Sequence, residues 1–158
     1  KQATATSEFE ILAPVSGELV NLENTNDPAF SSRAVGDGVA VVPQEGTVCA
    51  PVSGTVAALF PTEHALGIMS DDSSAQVMLH IGIDTVKLEG KGFHALVAQG
   101  DHVDAGQPLV EVDFDVVRAA GFDPTVFVIV CERSENSTLR EHASGPVAVK
   151  EPVVWLSE

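Results

Sequence analysis

Apolar residues along this chain come in short runs, broken by Gly, Pro, Asn or Asp every eight to twelve residues. That punctuation predicts strands over 17–22, 39–42, 46–50, 54–60, 65–69, 76–81, 94–99, 108–113, 125–131 and 151–156. Long helical periodicity is absent. The one helix predicted is FDVVRAAG, near 114–121, opened by Asp113 or Asp115 as cap and stopped by Gly121. The expected fold is all-β: an antiparallel sandwich or barrel with Gly-Pro turns and that single short helix.

One internal echo stands out. ILAPVSGELVNL (11–22) returns as VCAPVSGTVAAL (48–59), an offset of 37 residues. Each copy supplies a Pro to open a turn, a Gly to permit positive φ, and an alternating strand behind them. The repeat therefore predicts duplicated scaffold rather than a site. VAQGDHVDAGQPLVEVD (97–113) adds two further Gly-centred turns. At the start, KQATATSE has no apolar signal-peptide core. It predicts a disordered lead or linker over 1–8, followed by one domain over 9–158. The chain lacks an initiator Met, as a domain cut from a longer polypeptide would.

Charge narrows the partners. Against 8 Lys and Arg stand 23 Asp and Glu, a net charge of −15. Such a body repels phosphate backbones and anionic lipid, so neither nucleic acid nor a membrane surface is an expected partner. A basic protein would instead be attracted from a distance. No run approaches the roughly 18 apolar residues of a membrane-spanning helix. Cys49 and Cys131 sit alone in strand-like runs, without a CxxC, and are expected to be buried, reduced thiols of a cytosolic protein. The sequon at Asn136 would matter only in a secreted chain.

The candidate chemistry lies in the histidines. His142 falls in a polar stretch, and His94 and His102 lie between turns, so surface positions are expected for all three. His64 (LFPTEHALGI) and His80 (VMLHIGID) are each the lone polar ring of a strand-like run, joined by the polar SDDSSAQ (70–76). An antiparallel hairpin across that loop would bring the two rings face to face. Such a pair could bind a metal, since neutral imidazole is a common zinc ligand, but no HxH or HExxH completes a hydrolase site. It could also act by covalent nucleophilic catalysis, with phosphate as a fitting group and the second ring supporting it. No P-loop motif is present, so a bound ATP donor is not expected, whereas a protein donor suits the apolar rim.

With those residues laid out, the chain resembles the glucose-family enzyme IIA domain of the bacterial phosphoenolpyruvate–sugar phosphotransferase system. The likeness is carried by 13–43, the second APVSGTV (50–56), PTEHALGI (61–68), LHIGIDTVKLEGKGF (79–93), 100–113 and 121–130. The run LHIGIDTV followed by GKGF is its most specific part. The resemblance implies that His80 accepts a phosphoryl group from the phosphohistidine of the small carrier HPr. It then passes the group to a cysteine of an enzyme IIB domain, serving sugar uptake from the cytoplasmic side of the membrane. It implies that His64 steadies the group without carrying it, and that Thr62 fixes the His64 tautomer. Asp37 and Asp84 match acidic residues beside the site, and Val39, Phe60 and Met78 match the hydrophobic docking surface. Met78 stands where the family commonly has an aromatic residue. On this resemblance, the KQATATSE start leans toward the soluble end of a fused permease rather than a free-standing protein. No cofactor and no metal are called for. Two alternatives remain open at this point. A biotinyl or lipoyl carrier would need an exposed hairpin Lys in an MKM-like setting, and a lysostaphin-like zinc peptidase would need the HxH.

Overall fold

Residues 8–157 are described by the computed structural model. The strands are β1 Glu8–Leu12, β2 Gly17–Asn21, β3 Asp37–Pro43, β4 Thr47–Cys49, β5 Gly54–Leu59, β6 Ala65–Ser70 and β7 Ala75–Ile81. After these come β8 Phe93–Ala95, β9 His102–Val103, β10 Pro108–Val112, β11 Val126–Arg133, β12 Thr138–Glu141, β13 Gly145–Val147 and β14 Pro152–Ser157. Two short α-helices, α1 Pro28–Ser31 and α2 Phe114–Ala119, and two 3-10 turns, Leu22–Asn24 and Thr85–Leu88, sit in the connections. An eight-stranded sheet runs β9-β5-β6-β7-β11-β3-β2-β13, accompanied by the three-stranded sheets β4-β10-β8 and β12-β14-β1. The described pairings are antiparallel.

The strand order is symmetric about the β7–β11 pair, and the APVSG echo lies at the root of that symmetry. The two copies bond to each other reciprocally: Leu12 N–H donates to the Pro51 carbonyl at 2.9 Å, and Cys49 N–H to the Pro14 carbonyl at 2.7 Å. Each copy also grips its own turn. Gly106 N–H donates to the Ala50 carbonyl, and Lys150 N–H to the Ala13 carbonyl. The hydroxyls of Ser53 and Ser16 accept from Ala105 and Val149 N–H. A second echo thus surfaces, VDAGQPLV (103–110) with VAVKEPVV (147–154), too diverged to show in sequence. Gly17 and Gly54 do not have the positive φ expected of them. They are required because a Cβ would lie 2.0 Å from the Val42 and Met69 carbonyl oxygens respectively, a close strand approach only glycine permits.

Burial alternates as the pleat demands. In β7, Val77, Leu79 and Ile81 face the main core together with Val39, Leu66, Ile68, Val126 and Val128. Fully burying such side chains stabilises by about 1.5–3 kcal/mol each. Met78 and His80 face the other side of the sheet, where Leu22, Phe30, Ala40, Phe127 and Ile129 form a smaller second cluster. What looked like one apolar run is therefore split between two faces.

The helix at 114–119 is capped by Asp113, whose carboxylate accepts from Asp115 and Val116 N–H. A second helix, α1, was not expected. Asp27 caps it by accepting from Ala29 N–H at 3.0 Å, with Pro28 in its first turn. Strands β1, β9, β12 and β13 are also additional, being short or polar-faced. The strand expected over 94–99 is only Phe93–Ala95, after which the chain turns away. The expected lead segment lies outside the described residues except for Glu8, which belongs to β1. Among the described residues, no helix is long and apolar enough to cross a membrane.

Candidate active site

The hairpin of β6 and β7 places Ala65 opposite His80, so His64 at the strand entrance stands beside it. Ile81 N–H donates to the His64 carbonyl at 2.7 Å and locks this register. The two imidazole centroids are 5.1 Å apart with their planes at 86°. The rings expected to meet do meet.

Each ring is oriented through Nδ1. His80 Nδ1 lies 2.8 Å from the Gly82 carbonyl oxygen, which can only accept, so Nδ1 carries the proton and Nε2 keeps its lone pair. His64 Nδ1 lies 2.5 Å from the Thr62 hydroxyl. Gly82 holds φ +83°, and a Cβ there would meet Thr85 Cγ2 at 2.4 Å. The glycine thus serves to aim its own carbonyl at His80.

Aromatic packing encloses the pair. Phe30 on α1 lies 5.2 Å from the His80 ring and 4.6 Å from Phe127, the residue opposite His80 on β11. Phe60 meets the edge of His64 at 5.4 Å. His64 is only 3% exposed. Burial, then the neighbouring His80, pushes its pKa down to about 4. Burial also lowers the His80 pKa, opposed by the Gly82 carbonyl and by the charges of Asp27 and Asp84. Both rings are therefore neutral near pH 7, which is what a nitrogen nucleophile needs.

Of the residues singled out in sequence, His64, His80, Thr62, Phe60, Met78 and Asp84 fall at or around this spot. Asp84 is exposed and in the left-handed region, φ 61°, at the start of the 3-10 turn. Val39 does not line the surface: it is fully buried in the main core, because its position in the pleat points inward. Asp37 is not a free acidic group either. It is 3.0 Å from Arg33 and 3.6 Å from Arg133, and its charge is spent on them. The acidic neighbours of His80 are Asp27 and Asp84. Asp27, Phe30 and Phe127 were missed, although Asp27-Pro28 is a legible helix-start signal.

Elsewhere, Cys49 is buried but Cys131 is only half-buried, and both are free thiols. His94 and His102 are exposed, the latter 3.0 Å from Asp71. His142 departs from the surface expectation. It is half-buried, stacked at 12° on Trp155, and 3.2 Å from Glu151. Among the described residues, no three His, Cys, Asp or Glu side chains converge as a metal set.

Residues 9–136 match the family described as phosphoenolpyruvate-dependent sugar phosphotransferase system, EIIA 1. The chain belongs to this family. It is 43% identical over 145 residues to the glucose-specific EIIA component of Bacillus cereus, covering 92% of this chain and 87% of that protein. It is also 41% identical over 144 residues to a glucose-specific EIICBA component of Streptococcus pneumoniae, and 42% identical over 147 residues to a beta-glucoside-specific EIIBCA component of Bacillus subtilis. The chain spans only 20% and 24% of those two fused relatives. A solved structure, the glucose permease IIA from Mycoplasma capricolum, superposes with a TM-score of 0.88 at 34% identity, covering 98% of this chain and 99% of that one. As an EIIA domain, the chain is a phosphoryl-transfer module of sugar uptake with a mostly antiparallel β fold.

Proposed function

We propose that His80 Nε2 is the atom that carries the phosphoryl group. The observation that supports this most is the Gly82 carbonyl on Nδ1, which leaves a lone pair at Nε2 beside a second neutral imidazole. Nε2 attacks the phosphorus of the HPr phosphohistidine. The P–N bond of the carrier breaks as the new P–N bond forms, and the carrier's imidazole leaves. A cysteine thiolate of an enzyme IIB domain then attacks the phosphorus, and His80 leaves as neutral imidazole.

His64 supports the group rather than carrying it. With the Thr62 hydroxyl donating to its Nδ1, its Nε2 carries the proton, and a ring 5.1 Å from His80 can donate it to a phosphoryl oxygen held there. A donor held in place before reaction needs no reorganisation as charge develops, which is the main catalytic lever at such a site. Phe60 (47% exposed) and Met78 form apolar docking surface around the pair. Asp27 and Asp84 meet basic side chains of the carrier. The module works in the cytoplasm, or at the cytoplasmic face of the membrane when joined to a permease.

Incubation with phosphoenolpyruvate, enzyme I and HPr should give an acid-labile, alkali-stable phosphoprotein. His80→Gln should abolish the label, and His64→Gln should keep it but fail to deliver it to enzyme IIB. Normal labelling of His80→Gln would sink the assignment.

A further inference from the structure

We infer that Glu63 is a positioning residue for His64, pinning the turn that carries the supporting imidazole. The turn Phe60–Ala65 is closed by Phe60 N–H on the Ala65 carbonyl and Glu63 N–H on the Phe60 carbonyl. Within it, Glu63 adopts φ 63°, a left-handed conformation that side-chain-bearing residues occupy only when their surroundings hold them there. Here the hold is visible. The Glu63 carboxylate reaches across to accept from Ala95 N–H at 2.5 Å, 32 residues away on the edge strand β8. A second, weaker tie runs the same way, Leu59 N–H to the Gln99 side-chain oxygen at 3.3 Å.

Glu63 lies between the two members of the supporting pair. Thr62 and His64 bond to each other across it, so the backbone conformation of Glu63 sets the distance from hydroxyl to Nδ1 and the direction of Nε2. The His80 ring is oriented by the Gly82 carbonyl, and its strand is held by the ladder with β11 as well as by the β6 register that begins at Ala65. A change at residue 63 should therefore disturb the supporting ring and spare the accepting one. No other described hydrogen bond ties the side chain of this turn residue to the rest of the fold, which makes the carboxylate the point of control.

The inference rests on the proposed roles of His80 and His64, and its test separates the two levels. Glu63→Asn keeps a residue tolerant of positive φ but is one methylene too short to reach Ala95. Glu63→Gln keeps an acceptor oxygen at the original reach. Phospho-HPr should label both variants as fast as wild type. Onward transfer to enzyme IIB should fall about tenfold in Glu63→Asn, the scale expected when a reacting geometry is displaced by a fraction of an ångström. Glu63→Gln should restore it. The His64 ring resonances, read by nitrogen-15 NMR, should show a changed tautomer balance in Glu63→Asn with the His80 resonances unmoved. Wild-type onward transfer by Glu63→Asn would overturn the inference, as would equal loss of labelling and delivery. The underlying reading fails separately, if His64→Gln itself delivers phosphate normally.

Discussion

The chemistry of His64 differs sharply from that of the free amino acid. Its folded pKa is held at about 4, against an ordinary 6.5. Between those values the unfolded chain takes up a proton that the folded protein refuses, so acidification favours unfolding. Stability contributed by the neutral, buried ring is complete above about 6.5, declines below it, and is exhausted at about 4. Urea unfolding followed across this window should show stability falling with pH, and His64→Gln should reduce the slope to the part contributed by His80, whose pKa burial also lowers from 6.5. The depressed carboxylates of Asp72 and Asp123 release their contribution as pH falls below about 3.8, beneath this window, and that of exposed Glu23 below about 4.5, at its lower edge. An unchanged slope in His64→Gln would mean that the ring is not held neutral.

At the scale of elements, the segment from the Leu22–Asn24 turn through α1 to β3 is what brings Asp27 and Phe30 to His80. Four residues make too short a helix to hold itself, so something else must fix it. Arg33, just past α1 and at φ 63°, does so. It bonds Glu23 at 2.7 Å, Asp37 at 3.0 Å and Glu141 at 2.7 Å, joining three separate stretches of chain. Glu141 acts most strongly on it, and its pKa is raised accordingly. Arg33→Met should leave three carboxylates facing one another and loosen this segment. Hydrogen exchange should quicken between residues 22 and 36 while β7 and β11 stay protected, and the half-saturating HPr concentration should rise. Uniform exchange across the domain, or an unaltered HPr dependence, would count against the clamp. The helix-start signal at Asp27-Pro28 is present in the sequence. The clamp is not, because Glu141, its strongest member, lies 108 residues from Arg33.

For the whole molecule, the net charge of −15 and the internal two-fold set the terms. If the carrier of the proposed transfer presents a basic face, this charge attracts it at long range, and the rate of transfer from HPr should be salt-sensitive. It should fall several-fold as the Debye length shortens from about 30 Å at 0.01 M to about 8 Å at 0.15 M. A flat dependence would remove electrostatic steering from the account. The two-fold explains why a short motif recurs. Two similar half-domains each need a glycine where strands cross closely, and the histidine pair belongs to one half only.

The sequence by itself determined the strand-and-turn character, the APVSG duplication, the β6–β7 hairpin and the two histidines that meet across it. These are local: they follow from alternation, from turn residues and from a sixteen-residue separation. Only the tertiary structure decided which side chains share the face of His80. A side-chain period of two makes the face a matter of register, and register depends on partners far along the chain. Hence Val39 went to the core, Asp37 to the arginines, and Asp27 and Phe30 to the site. The hydrogen bond that gives His80 its tautomer belongs to the same class. It is made by the Gly82 carbonyl, a backbone atom whose direction no pattern of residue types records.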